Sequence, residues 1–210
     1  MINLDKKTEL NHYDIEQFRE LVSTCDKCDL SKTRNHVVFG EGPIPCNLMI
    51  IGEGPGEQED ETGKPFVGRS GQLLTKILES IDIKRPDDVF IANTVKCRPP
   101  KNRTPLQEEI ESCKNYLINQ IQRVQPKVLL LLGAPSLKTI LEEKLSISKV
   151  RGKWYRASVD YMKDPLYIMP LFHPSYLLRY ASKEKGSPKW LTWQDMQEVK
   201  NALSVFSSEL

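Results

Sequence analysis

Four short runs of mostly apolar residues, Leu48–Ile51, Val89–Asn93, Val128–Leu132 and Leu166–Met169, narrow most sharply what this chain can become. A strand with one face in water alternates apolar and polar side chains. A run that is apolar on consecutive positions needs cover on both faces, as in a parallel sheet between helix layers. The stretches between the runs carry helical spacing instead. Leu73, Leu74, Ile77, Leu78 and Ile81 recur with that period, and so do Leu106, Ile110, Cys113, Leu117, Ile121 and Val124. Thr104 as cap, Pro105 at the first helical position and Gln107 as the capping-box partner mark the start of the second helix. Further helices are expected around Ile15–Val22 and Leu191–Val205. Strands joined by helical crossovers predict an α/β fold, a three-layer αβα sandwich around a central four-stranded parallel sheet. With 210 residues, 39% of them hydrophobic, the chain has core enough for one domain spanning 1–210 and little room for two.

In open sheets of this kind ligands sit at the carboxyl ends of the strands. The unusual segments fall there: GEGPGEQEDETGKPFVGRSG after the first strand, NTVKCRPPKNRTP after the second, GAPS after the third and FHPSYLLR after the fourth. One face of the sheet therefore collects the chemistry.

No apolar run approaches the roughly 20 residues needed to cross a bilayer. The N-terminal stretch MINLDKKTELNHYDIEQF lacks the apolar core of a secretory signal, so a soluble, cytoplasmic protein is expected, with no membrane partner. A net charge of +2 does not announce a nucleic-acid partner, but its distribution says more. Basic residues bunch at Lys96, Arg98, Lys101 and Arg103, at Arg151, Lys153 and Arg156, and at Lys183, Lys185 and Lys189, while Glu57, Glu59, Asp60 and Glu61 crowd one loop. Such patches beside an acidic loop suit a protein that grips phosphates near a site needing carboxylates. Solvated loops are the competing reading of any one patch.

Five cysteines in a cytoplasmic chain point to metal binding or plain burial rather than disulfides. Cys25 and Cys28 form a C-x2-C pair, which lets two thiolates from one turn reach one centre. Cys97 and Cys113 lie far down the chain, one in the loop after the second strand and one on the capped helix. Four thiolates can hold zinc or an iron–sulfur cluster, although Cys113 also fits the apolar stripe of its helix. Cys46 fits no pair and reads as a small buried hydrophobe.

Taken together, CDKCDLSKTRNHVVFGEG, GEGPGEQEDETGKPFVGRSGQLL, IANTVKCRPPKNRTP and FHPSYLLR closely resemble the thermophile-type uracil-DNA glycosylases, family 4 of that superfamily. The likeness runs from about Cys25 to Arg179, with the motifs in the family's order. It implies an αβα fold and a [4Fe–4S] cluster of structural role, held by Cys25, Cys28, Cys97 and Cys113. It also implies a monomer acting on uracil-containing DNA, single- or double-stranded.

The chemistry of base removal assigns the remaining roles beside this resemblance. The base must leave the stack, which asks for a wedge and backbone contacts. Tyr176, Leu177 and Leu178 are the apolar candidates, Leu177 foremost, with Arg179 against the backbone. Phe66 resembles the family's stacking residue. The Asn93 carboxamide can donate to uracil O4 and accept from N3–H, leaving cytosine with clashing partners. Thymine must be refused sterically, and Glu59 resembles the family's gate. Cleavage builds negative charge on uracil O2, where His173 and the N–H groups of Glu53 and Gly54 can donate. Better-known uracil glycosylases orient water with an aspartate; the matching place here is Gly54, so Glu53 is the natural substitute, with Glu59 as the alternative. No lysine in a motif position suggests Schiff-base chemistry, so the expected product is an abasic site with the strand intact. Two rivals remain. One is a non-catalytic cluster module that binds nucleic acid. The other is a relative that bonds covalently through a histidine in a basic loop, and NTVKCRPPKNRTP has no histidine.

Overall fold

A computed structural model describes residues 4, 9–142, 144, 146–160, 162 and 164–207; most of the first eight residues of the polar N-terminal stretch lie outside this set. Its strands are β1 (Leu48–Gly52), β2 (Phe90–Asn93), β3 (Val128–Leu132), β4 (Tyr155–Ala157) and β5 (Leu166–Leu171). The helices are α1 (Ile15–Ser23), α2 (Glu57–Thr62), α3 (Arg69–Glu79), α4 (Gln107–Val124), α5 (Gly133–Leu141), α6 (Ile147–Val150), α7 (Pro174–Leu177) and α8 (Pro188–Ser207). The strands stand in the order β2-β1-β3-β5-β4. The four strands expected from the apolar runs are mutually parallel, and the short β4 adds an antiparallel edge beside β5.

Every residue of β1, β2 and β3 is buried, and the two faces lead into different cores. Met49 and Ile51 point to the side that holds Phe18 of α1 and Leu117 and Ile121 of α4. Leu48 and Ile50 point to the side that holds Leu74 and Leu78 of α3 and Met196 and Val199 of α8. Consecutive apolar residues thus fill two helix–sheet layers at once, which is why these runs do not alternate.

The start of α4 departs from the sequence reading. Thr104 does not cap it and Leu106, half exposed at 47%, is the capping residue. The Leu106 N–H donates to Glu109 Oε2 at 2.7 Å, and Arg103 grips the same carboxylate with two bonds of 2.9 and 2.6 Å. A carboxylate reaching back to the cap N–H satisfies the helix end without a hydroxyl. Pro105 and the preceding loop are thereby freed to face the cleft beyond the strand tips.

Candidate active site and cysteine cavity

Beyond the tips of β1 and β2 lies a cavity of about 300 Å3. Glu53, Gly54, Glu59, Phe66, Asn93 and His173 all line it, joined by Ser70, Asn102, Arg103 and Ser175. Gly52 and Asn93 are register partners across β1 and β2, and this pairing builds the cavity floor. A Cβ on Gly52 would stand 2.4 Å from Asn93 Oδ1 and 2.5 Å from the Phe66 ring, so only glycine lets the amide and the ring meet there.

Phe66 adopts a left-handed backbone (φ 51°), unusual for a bulky residue and tolerated only where the surroundings over-determine it. Arg85 supplies that constraint by donating to the carbonyls of Phe66 (2.9 Å) and Pro65 (2.8 Å). Glu59 supplies more. Its Oε1 accepts from the N–H groups of Val67 and Gly68, each at 2.8 Å, and its Oε2 from Gly56 at 3.1 Å. A residue that could have belonged to a solvated acidic run is therefore a latch fastening the Phe66 loop to α2. Asp60 next to it is equally engaged, accepting from the Asn35 backbone and side chain at 2.9 Å each.

Asn93 is 1% exposed, and its Oδ1 is a buried acceptor without a hydrogen-bond partner. Buried polar atoms are nearly always paired, so this orphan at a cavity wall marks the place of a ligand's N–H. His173 stands opposite, its ring centroid 5.8 Å from that of Phe66. Its Nδ1 accepts the Ser175 N–H at 3.1 Å and lies 2.7 Å from the Ser175 hydroxyl. An accepting Nδ1 leaves the proton on Nε2. Burial, opposed by the Glu59 charge, pushes the imidazole down to about 4, so it is neutral at pH 7. Burial also raises the Glu53 carboxyl above the ordinary range, while a hydrogen bond with Thr104 pulls it down. The hydroxyl read as a helix cap in fact serves the cavity.

Leu177 does not reach this cavity. It is 1% exposed within α7, whereas Leu178 is 40% exposed one position on. A helical step of 100° separates the two, and the core claims the first. The basic clusters also change meaning. Arg151 pairs with Asp195, Arg98 donates to Asn102 (2.7 Å) and Glu57 (3.2 Å), and Lys96 is 1% exposed. None of the three is a free phosphate grip.

Cys25, Cys28, Cys97 and Cys113 line a second, small cavity, together with Arg34, Lys96 and Tyr116. Among the described residues no three His, Cys, Asp or Glu side chains are arranged to hold a metal ion. The surroundings nonetheless suit anionic sulfur. Arg34 Nη1 lies 3.5 Å from Cys97 Sγ, and the charge of Lys96 acts on Cys113 and Cys97. Among the described residues neither cation forms an ion pair with a carboxylate. Burial first and the neighbouring sulfurs second raise the thiols, that of Cys97 to about 11, while Arg34 and Lys96 pull them down, so cations placed here gain their counter-charge once the sulfurs are deprotonated by a metal. Cys46 lies elsewhere, its thiol donating to the carbonyls of Leu48 (3.3 Å) and Asp88 (3.4 Å).

A family model described as the uracil DNA glycosylase superfamily matches residues 39–197. The chain is 43% identical over 194 residues to a type-4 uracil-DNA glycosylase of Thermotoga maritima, covering 90% of this chain and 96% of that protein. It is 45% identical to one of Pyrobaculum aerophilum, covering 79% and 85%. It is 40% identical to one of Saccharolobus solfataricus, covering 91% and 87%.

Proposed function

The chain belongs to the uracil-DNA glycosylase superfamily, and from that premise we propose that it flips uracil out of DNA and hydrolyses the N-glycosidic bond, leaving an abasic site for base excision repair. The observation that carries this reading is the buried, unpaired Oδ1 of Asn93 beside the Phe66 ring. Uracil N3–H satisfies that acceptor; cytosine N3 is itself an acceptor and leaves it unpaired, a mismatch that costs affinity strongly in a buried site.

In this scheme the extruded base stacks on Phe66 and is read by Asn93. The Glu59 carboxylate, locked by three backbone N–H groups, is the rigid wall against which a C5-methyl would press. As the bond breaks, the Nε2–H of neutral His173 and the N–H groups of Glu53 and Gly54 donate to the charge growing on O2. Donors fixed in advance stabilise this charge without reorganisation. The ionised Glu53 carboxylate holds the attacking water and faces the sugar cation. Leu178, the exposed leucine of the HPSYLLR turn, enters the stack in place of the buried Leu177. The enzyme acts as a cytoplasmic monomer, and among the described residues no helix is long and apolar enough to cross a membrane.

Cys25, Cys28, Cys97 and Cys113 are read as the ligands of a [4Fe–4S] cluster, a reading supported by Arg34 and Lys96 beside the sulfurs. When bound, the cluster supplies structure and no redox step in hydrolysis. Anaerobically purified protein should be brown, with broad thiolate-to-iron absorbance near roughly 400 nm. Colourless, zinc-loaded and fully active protein would refute the iron assignment.

The activity itself is tested with a uracil-containing oligonucleotide. It should become alkali-labile after incubation with the native chain and stay intact with the Asn93→Ala/His173→Ala double variant. Equal lability with both proteins removes these residues from the mechanism.

A further inference from the structure

Asn93 and Cys97 are only four positions apart, and Lys96 between them lines the cysteine cavity while bonding to the backbone of Asn93 at the other. It lines the cysteine cavity, and its ammonium donates to the Asn93 backbone carbonyl at 2.6 Å inside the protein. Its other electrostatic neighbours are the sulfurs of Cys113 and Cys97. An ammonium has three donors and no acceptor, so one proton is spent on the strand end and the others remain for sulfur. A fully buried cation persists only when paired, and among the described residues it forms no ion pair with a carboxylate.

We propose that Lys96 is a positioning residue that ties the base-reading amide to the sulfur cluster, one ammonium bridging the Cys97 and Cys113 thiolates and the Asn93 carbonyl. The thiolates anchor the ammonium, and the ammonium fixes the peptide from which the Asn93 carboxamide projects. The cluster then contributes to uracil recognition through one side chain, without touching the base. This inference rests on the assignment of Asn93 as the uracil reader and of the four cysteines as cluster ligands.

Two substitutions separate the halves of the bridge. Lys96→Met removes both the charge and the donor. Iron should remain at four per chain, the visible absorbance should shift, and KM for a single-stranded uracil oligonucleotide should rise about tenfold, the size of one lost buried hydrogen bond. Lys96→Gln keeps a donor for the carbonyl but not the charge. The same spectral shift should appear with KM restored to within a few-fold of native, as one retained bond allows. A native spectrum in Lys96→Met overturns the sulfur half, and a native KM overturns the Asn93 half. Should Lys96→Met not accumulate as folded protein, Lys96→Gln decides alone: a shifted spectrum with near-native KM supports the bridge, and an unchanged spectrum overturns it. Controls keep the underlying reading distinct. Unchanged excision by Asn93→Ala would sink the uracil-reading role itself, and colourless native protein the cluster.

Discussion

The two cavities on either side of residues 93–97 are built on opposite principles. Around Asn93 almost every polar group is already bonded: Glu59 holds three N–H groups, Arg85 holds the Phe66 carbonyl, and Ser175 holds His173 Nδ1. One acceptor, Asn93 Oδ1, is left for a ligand. Around the cysteines the hydrogen bonds end on sulfur, from the Leu30 backbone to Cys28, the Lys96 backbone to Cys113, Tyr116 to Cys25 and Arg34 to Cys97, and the charges of Arg34 and Lys96 favour negative sulfur. The first cavity is preorganised by directional bonds to backbone, and its one tie to the second is the Lys96 bond to the Asn93 carbonyl. The second reaches charge balance only with thiolates. Damage to the first should therefore cost chemistry with little stability, and damage to the second should cost stability first.

The comparison is exposed most directly by His173→Ala and Cys113→Ala side by side. His173→Ala should lower kcat/KM on a uracil oligonucleotide by about 10²–10³-fold, the usual loss for one preorganised oxyanion donor, with the thermal midpoint nearly unchanged. Cys113→Ala should bind less iron and melt of order 10 °C lower, equivalent to about 3 kcal/mol in a chain of this size. Calorimetry and steady-state kinetics on both variants check this. A Cys113→Ala protein as stable as native, or a His173→Ala protein that unfolds early, would erase the contrast.

Leu177 and Leu178 sharpen it at the edge of the site. Leu177→Ala removes a buried side chain and should cost about 2–3 kcal/mol of stability. Leu178→Ala should leave stability within about 0.5 kcal/mol, as surface substitutions do. Instead it should slow excision from duplex about tenfold while sparing single strands, where no stack has to be opened. Equal slowing on both substrates would deny Leu178 a wedge role.

How far this was legible in the residues follows from what kind of force decides each feature. The parallel strands could be read because burial on both faces leaves a one-dimensional trace, consecutive apolar residues. The gathering of Phe66, Asn93 and His173 followed from strand-end segments and the resemblance they carry. What escaped notice depends on bonds between distant or ambiguous partners. Asp60 looks like surface charge until the Asn35 N–H comes to meet it, and the resemblance that marks Glu59 as a gate does not show that the N–H groups of residues 67 and 68 hold it. Lys96 looks like one more member of a basic patch until the fold buries it. Leu177 and Leu178 are the same residue type, and only the phase of a one-turn helix tells inside from outside. Thr104 satisfied every local rule for a cap, yet Leu106 took that place, its N–H held by the Glu109 carboxylate that Arg103 fixes within reach.

Thr104 yields the smallest and most specific test. Burial holds the Glu53 carboxyl above its usual range, and the Thr104 hydrogen bond opposes that shift by favouring the ionised form. If ionised Glu53 orients water, activity is lost as pH falls through its pKa, and anything that raises that pKa moves the loss to higher pH. Thr104→Val deletes the hydroxyl at constant shape, so the acid limb of kcat should move upward by less than about one pH unit, with kcat on the alkaline plateau within a few-fold of native. Thr104→Ser keeps the hydroxyl and should restore the native limb. The His173 ring, shifted by burial and the Glu59 charge and not by Thr104, keeps its own titration in both variants, and the Glu59 and Arg103 charges facing the same cavity are untouched. An acid limb that stays in place in Thr104→Val would take the water-orienting role away from Glu53 and leave the carboxylate as a wall of the pocket.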